Sequence, residues 1–519
     1  MAPFIAALVF FAQSTAPLSA PDVKLEPTAP AKPTAPAKPS VALKQQRPKL
    51  ESIQPSNIDH LEVAWRWSHG EKWEGRDQGR RPSFSATAVH AEGKLFIITP
   101  RATAVALDAT TGKELWRVMR VGETRRSWGA SYANGRLFFG TPDGKLLCLA
   151  TRDGKKLWEV DLRAGLAAGH LSQNMPPTLI AGLVITGGEV PEGTPQGPAG
   201  FIRAWRQSDG KHVWTFHTVP KDDDPAAKTW APGSRANRTG VNVWGRCAAE
   251  ASAGVVYCPT GSASYDFYGG DRKGENLYAN SVVALEAKSG RLLWHKQLVH
   301  HDLWDYDLPA QPVLLDVRRE GKSVPALAQV TKMGLVWFLN RRTGDAIFGE
   351  EERPVPQSRV PGEEAWPTQP WPLAPAPLSR TRFEESDLNT LTPEWASECR
   401  ALVEQSGNAG IFEPWGTAKY TIMLPGTLGG GTWSGGAYDA ARRLLFVNSN
   451  ELGIIGKMVE RNGTWTRVSP GTHARFATKD MVPCTLPPWN NAQRHRCRYG
   501  RRSLARTAGR TPAGQGQRL

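Results

Sequence analysis

Short apolar runs along this chain end in a polar turn that carries a glycine, and an aromatic follows four residues after that glycine. The pattern occurs five times, as ALDATTGKELW (Ala106–Trp116), CLATRDGKKLW (Cys148–Trp158), AWRQSDGKHVW (Ala204–Trp214), ALEAKSGRLLW (Ala284–Trp294) and FLNRRTGDAIF (Phe338–Phe348). A further β-rich run stands before each of them, KLFIIT, RLFFGT, LVITGG, VVYCPTG and ALAQVT in turn. A sixth such run, RLLFVNSN, has no partner downstream. Glycine at a fixed place suits a tight turn between antiparallel strands, and the aromatic is placed to fill the gap between adjacent sheets. The connections between repeats are long and uneven. That favours sheets set around an axis, a β-propeller, over a solenoid of even coils.

Composition agrees with an all-β reading. Twenty Trp, 51 Gly and 41 Pro in 519 residues favour many short strands joined by tight turns. The formal charge of +15 suggests a nucleic-acid binder until it is located, because residues 490–519 hold eight Arg and no acidic residue. No recognition helix or RNA-binding motif accompanies it, so nucleic acid is excluded as a partner. That segment has no strand periodicity and reads as a basic disordered tail, like coding sequence translated out of frame. At the other end, residues 1–20 carry the apolar run PFIAALVFFA followed by small-residue sites, which predicts a secretory signal. Residues 21–49 are a Pro/Ala/Lys-rich linker expected to stay extended, and the folded domain is expected over 50–489. No later stretch is apolar enough for a membrane span, so membrane association is expected to be peripheral at most. Six Cys show no CxxC, haem-attachment or zinc spacing and leave their pairing open.

The densest chemistry is HHDLWDYDLPAQP, residues 300–312, with three carboxylates and two imidazoles among Trp, Tyr and Leu. Exposed loops seldom mix charges with such large apolar side chains. In an extended segment alternate residues point the same way, so Asp305 and Asp307 are expected to project together. A carboxylate pair of that kind calls for a cation or a shared proton.

Taken with the tryptophan-terminated repeats, this stretch resembles the quinoprotein dehydrogenases that carry pyrroloquinoline quinone (PQQ) in an eight-bladed propeller, most closely their glucose, quinate and polyol branch. The resemblance runs from about Ile53 to Trp489 and is carried by QNMPPTLIAGLVITGG, NVWG, YCPTGSASYDFYGGDRKGENLYANS, HHDLWDYDLPAQP, LNRRTGD, RPVPQ, PTQPW and PCTLPPW. A propeller scaffold of the outer-membrane assembly type has the repeats without the acidic strand end. The fold so implied is an eight-bladed-type β-propeller, incomplete here, with about six blades present.

By position, the resemblance makes Asp305 the general base for an alcohol proton and Lys332 the cation that contacts the quinone oxygens. Trp244, with Asn242 beside it, becomes the floor under the tricyclic ring. Asn448 and Trp433 become further cofactor contacts, although Thr432 replaces an acid expected there. A calcium or magnesium ion, rather than a lanthanide, is implied on Glu192, Ser262 or Ser264, and Asp307. Glu189 competes with Glu192, and the serines stand where relatives carry Asn or Thr. The chain has no adjacent cysteine pair and no haem domain, which implies a separate electron acceptor, ubiquinone or cytochrome c. The expected activity is oxidation of a sugar, polyol or cyclitol alcohol in the periplasm. The alternative is a non-catalytic envelope propeller or an inactive truncated remnant.

Overall fold

The five turn glycines adopt the conformation that a tight turn requires, with φ between +71° and +82° at Gly112, Gly154, Gly210, Gly290 and Gly344. Around them the chain folds into successive antiparallel meanders. The computed structural model describes residue 53 and residues 56–71, 83–119, 126–167, 169–471 and 473–496. The expected signal segment, the whole of the expected linker and residues 497–519 lie outside these.

Four sheets have four strands each, in chain order: Val89–Ala91 to Glu114–Val118, Ser131–Ala133 to Lys156–Asp161, Thr178–Ile180 to His212–His217, and Ala248–Glu250 to Leu292–Gln297. A fifth has three strands, Val313–Arg319, Lys322–Val330 and Val336–Asn340. The sixth joins Gly436–Asp439, Leu444–Asn450 and Asn490–Arg496. The first strand of each sheet neighbours the first strand of the next, which is the succession of a β-propeller. The fourth sheet is covered on both faces, and its strand Val255–Pro259 is buried at all five positions.

The repeat aromatics dock as expected. The indoles of Trp116, Trp158, Trp214 and Trp294 donate to the carbonyls of Thr151, Gln207, Ala287 and Arg341 at 3.1, 3.1, 2.9 and 3.0 Å, in each case three residues before the next repeat's glycine. A Cβ on Gly154, Gly210, Gly290 or Gly344 would strike the preceding indole. The same glycine therefore serves the turn and the sheet contact. Trp65, ahead of the first repeat, lies on Gly112 in the same manner and was not legible as a repeat element.

The sixth sheet corrects one expectation. RLLFVNSN does have a downstream partner, because Asn490–Arg496 pairs antiparallel with Leu444–Asn450 over seven residues. Main-chain pairing needs no alternation of side chains, and a polar, charged sequence is ordinary for an edge strand. Residues 490–496 of the expected tail are therefore a strand, and the rest of it lies outside the described residues.

Between the fifth and sixth sheets lies an insert with a hairpin, Glu350–Pro354 with Thr368–Pro372, and a helix, Pro393–Glu404, capped by the Thr392 hydroxyl. A further sheet combines Ser406–Ala409, Tyr420–Met423, Ile454–Arg461 and Thr464–Val468. Disulfides join Cys399 to Cys484 and Cys247 to Cys258, and among the described residues Cys148 is free and buried. Phe412, Trp415, Met423 and Met458 of these elements pack against Trp304 and Tyr306. The insert thus forms one wall over residues 300–312.

Candidate active site

Residues 298–312 connect the fourth and fifth sheets, and Asp302 fixes their path. Its Oδ1 accepts from the Trp304 amide at 2.9 Å. Its Oδ2 accepts from the Tyr306 amide at 2.7 Å, from Asn280 Nδ2 at 2.8 Å and from the Ser262 hydroxyl. Trp304 and Tyr306 are fully buried and donate to the carbonyls of Glu413 and Pro425, both at 2.9 Å. His301 is buried as well, with Nδ1 hydrogen-bonded to the Gly274 carbonyl at 2.7 Å, and burial lowers its pKa to about 3. It is a neutral structural group.

Held between these anchors, Asp305 takes φ +61°, a left-handed conformation that costs a non-glycine residue roughly 1–2 kcal/mol and that Asp tolerates better than most. Asp305 and Asp307 do come together, but not by strand alternation, since this stretch is a loop. Lys332 gathers them. Its Nζ donates to Asp305 Oδ1 at 2.7 Å, to the Asp305 carbonyl at 2.8 Å and to Asp307 Oδ2 at 3.2 Å. Asp307 Oδ1 accepts from the Ser262 amide at 2.5 Å, and its Oδ2 also accepts from the Trp244 indole at 3.2 Å. The Lys332 ammonium stands 6.0 Å from the centroid of the Trp244 ring. At Gly261 a Cβ would lie 2.7 Å from Asp307 Oδ1 and 3.0 Å from Asn242 Oδ1, so only glycine lets these oxygens approach the chain there.

The charges settle unequally. Burial raises the Asp305 carboxyl to about 7, against the pull of Lys332 and with the help of Asp307. Its Oδ1 is held, while Oδ2 has no partner among the described residues. Burial also opposes ionisation of Asp307, but Lys332 and the Ser262 amide outweigh it and hold that carboxyl below its usual value. Lys332 loses solvation too, and its two carboxylates more than compensate, keeping it protonated. Burial first, then the charges of Asp307 and Asp305, push Glu192 well above the carboxylate range. Asp266 is pushed up likewise by burial, Glu192 and Asp305. Four carboxylates thus share the field of one lysine, which is an excess that a cation relieves.

Three of the polar groups here are open. Glu192 is half-buried and bonds to none of the described residues, Asn242 is fully buried with both side-chain polar atoms unpartnered, and Asp266 has an unpartnered Oδ1. Glu189 is not open, because its Oε2 accepts from Asn174 Nδ2 at 2.6 Å and lies 3.4 Å from the Ser172 hydroxyl. A cavity of about 190 Å³ opens beside Trp244 and Glu192, walled by Trp128, Ser172, Gln173 and Asn174. Among the described residues no three His, Cys, Asp or Glu side chains converge as a metal-holding group.

Of the residues expected here, Asp305, Asp307, Lys332, Trp244, Asn242, Glu192 and Ser262 surround one another. Ser262 is tied to Asp302, and Ser264 donates to the Pro191 carbonyl at 3.2 Å. Trp433 stands one ring away, edge-on to Trp128 at 4.1 Å and 40% exposed. Asn448 is exposed on the sixth sheet and bonds to none of the cluster. Asp266 and the anchoring role of Asp302 were missed. A signal for Asp266 was present, a carboxylate set between aromatics in SYDFYGG, the same composition that marked residues 300–312.

Comparison with known proteins places this geometry. The family model described as PQQ, glucose/ethanol/alcohol dehydrogenase, β-propeller domain, matches residues 43–517. The match runs past Trp489, where the sequence pattern alone put the end of the resemblance. The quinate/shikimate dehydrogenase (quinone) of Acinetobacter baylyi is 28% identical over 85% of this chain and 61% of its own length. The glycerol dehydrogenase large subunit of Gluconobacter thailandicus is 31% identical over 79% of this chain and 59% of its own. The chain therefore spans about 60% of the length of these curated relatives. Among solved structures, the quinohemoprotein alcohol dehydrogenase from Comamonas testosteroni shares the fold at a TM-score of 0.60, with 21% identity, over 80% of this chain and 59% of that one. With that fold, and with the family model matched over residues 43–517, the chain belongs to the PQQ β-propeller family of glucose, ethanol and alcohol dehydrogenases.

Proposed function

We propose that this chain is the PQQ-bearing propeller of a dehydrogenase that oxidises an alcohol group of a sugar, polyol or cyclitol. The observation that carries the reading is Asp305, whose carboxylate is held through one oxygen by Lys332 while the other is left free, beside the Trp244 indole. A flat, polyanionic quinone suits this place, because the half-buried indole offers it a face and Lys332 gives it a cation.

When bound, PQQ supplies the acceptor for the hydride that leaves the carbinol carbon. The chain's own part is proton transfer and placement. Asp305 Oδ2 receives the hydroxyl proton, and a carboxyl raised to about 7 is suited to a general base at neutral pH. Lys332 fixes the carboxylate, and Asp307, engaged on both oxygens, fixes Lys332 and the Trp244 indole. A calcium or magnesium ion takes oxygen ligands, and the open oxygens of Glu192 and Asn242 would hold it. Ser262 and Ser264, already bonded elsewhere, stand behind those groups.

Electrons would leave to a separate ubiquinone or cytochrome c. Two disulfides suit an oxidising compartment, in keeping with export to the periplasm.

The test is dye reduction by the purified chain given PQQ and calcium or magnesium, with glucose, glycerol and quinate as substrates. PQQ-dependent reduction with at least one of them is expected. Bound PQQ without reduction of dye by any sugar, polyol or cyclitol would place the chain with the non-catalytic propellers.

A further inference from the structure

Arg467 sits on the strand Thr464–Val468 of the insert, opposite Met458. Its stem crosses Gly456, where a Cβ would come within 3.0 Å of Arg467 Cγ. The guanidinium lies 4.2 Å from the Phe267 ring centroid and 5.4 Å from that of Trp415. Its main-chain amide donates to the Tyr265 hydroxyl at 3.2 Å, which joins the insert to the SYDFYGG loop. Nε and Nη1 are both buried, and neither has a hydrogen-bond partner. Asp305 is near enough to act on its charge, yet the two form no salt bridge.

This arrangement is costly unless something completes it. A buried donor left unsatisfied costs about 1–3 kcal/mol, and more when it is charged. Aromatic rings beside the guanidinium leave its in-plane rim as the direction in which it can bond. The acceptor best matched to such a rim is a carboxylate. The surroundings favour the same answer. Asp305, the carboxylate that acts on the Arg467 charge, is bonded to Lys332 instead, which leaves the guanidinium rim to an incoming acceptor.

We propose that Arg467 receives a carboxylate of the substrate, so that the alcohol oxidised beside Asp305 belongs to a polyhydroxy acid rather than to a neutral sugar. The assignment rests on the reading of Asp305 as the base of an alcohol-oxidising site. It makes Arg467 a specificity-determining residue. PQQ also carries carboxylates, so the test separates the two sources.

Calorimetric titrations of the full chain without cofactor, using gluconate and quinate against glucose and inositol, give the selectivity directly. Parallel PQQ titrations give the cofactor affinity. Wild type should bind the acids more tightly than the neutral compounds by about tenfold or more, the worth of one charge-assisted hydrogen bond. Arg467→Met should bring that ratio to about one and leave PQQ affinity unchanged. Arg467→Lys, which keeps the charge and the stem, should fall between, and it carries the test if the methionine variant does not fold. Equal binding of acids and neutral compounds by wild type, or a ratio unchanged in both variants, would overturn the assignment. Loss of PQQ affinity with the ratio intact would overturn it too, giving Arg467 to the cofactor. Because the probes are titrated without PQQ, acid selectivity that survives in a chain unable to turn over would mark failure of the dehydrogenase reading alone.

Discussion

Asp305→Asn lowers PQQ-dependent turnover by about 10²–10⁴-fold, the usual contribution of a positioned general base, and leaves PQQ bound. Asparagine is a clean probe at this position. It tolerates φ +61° about as well as aspartate, and its side-chain oxygen can still accept from Lys332 Nζ, so the loop and the ammonium stay in place. What disappears is the carboxylate proposed to take the hydroxyl proton. Lys332 keeps Asp307 as its counter-charge, so no cation is left unpaired in the interior. Steady-state rates and PQQ titrations on the same preparation read the two effects separately. A variant that keeps more than about a tenth of wild-type turnover would show that the proton leaves by another group.

Trp294→Ala destabilises the fold by about 3–5 kcal/mol, the range for deleting a buried large aromatic. The side chain is 9% exposed, lies on Gly344 and donates to the Arg341 carbonyl at 3.0 Å, so its removal opens a void between the fourth and fifth sheets. Leu293→Ala, on the same strand but 39% exposed, should cost about 0.5 kcal/mol or less. Denaturant titrations of the two variants side by side measure the contrast. Residues 298–312 hang between the same two sheets, so Trp294→Ala should also loosen Asp305 and lower PQQ affinity. A loss below about 1 kcal/mol for Trp294→Ala would mean that the indole does not bind the sheets together.

How much of this was legible follows from what each feature depends on. The repeats were readable because one glycine must satisfy both a turn at positive φ and an indole laid on it, which leaves the same two letters in every copy. Asn490–Arg496 was hidden because its pairing is made by the main chain, and its side chains carry no pattern that an edge strand has to keep. Asp305 and Asp307 were found for a reason that was only half right. Their identity and spacing were visible, but they meet because Asp302 anchors the loop and Lys332, a distant residue, draws both carboxylates together. Asp302 looked like one more acid in a cluster, since nothing local distinguishes a carboxylate that accepts main-chain amides from one left free. Glu192 and Glu189 were inseparable until Asn174 was seen to occupy Glu189. Asp266 and Arg467 lie on inserts outside the repeat, where no period constrains the sequence and only folding reveals which polar atoms lack a partner.

The proposed PQQ site of this chain is built on Trp244 and the Asp305–Lys332–Asp307 cluster. Titration of the purified protein with PQQ in the presence of calcium, followed by cofactor absorbance and tryptophan fluorescence, tests it most directly. Saturable binding is predicted at one site per chain, weakened by about tenfold or more in Trp244→Ala, because a stacking face worth roughly 1.4 kcal/mol or more is lost. Absence of saturable binding, or binding undiminished in Trp244→Ala, would contradict the account.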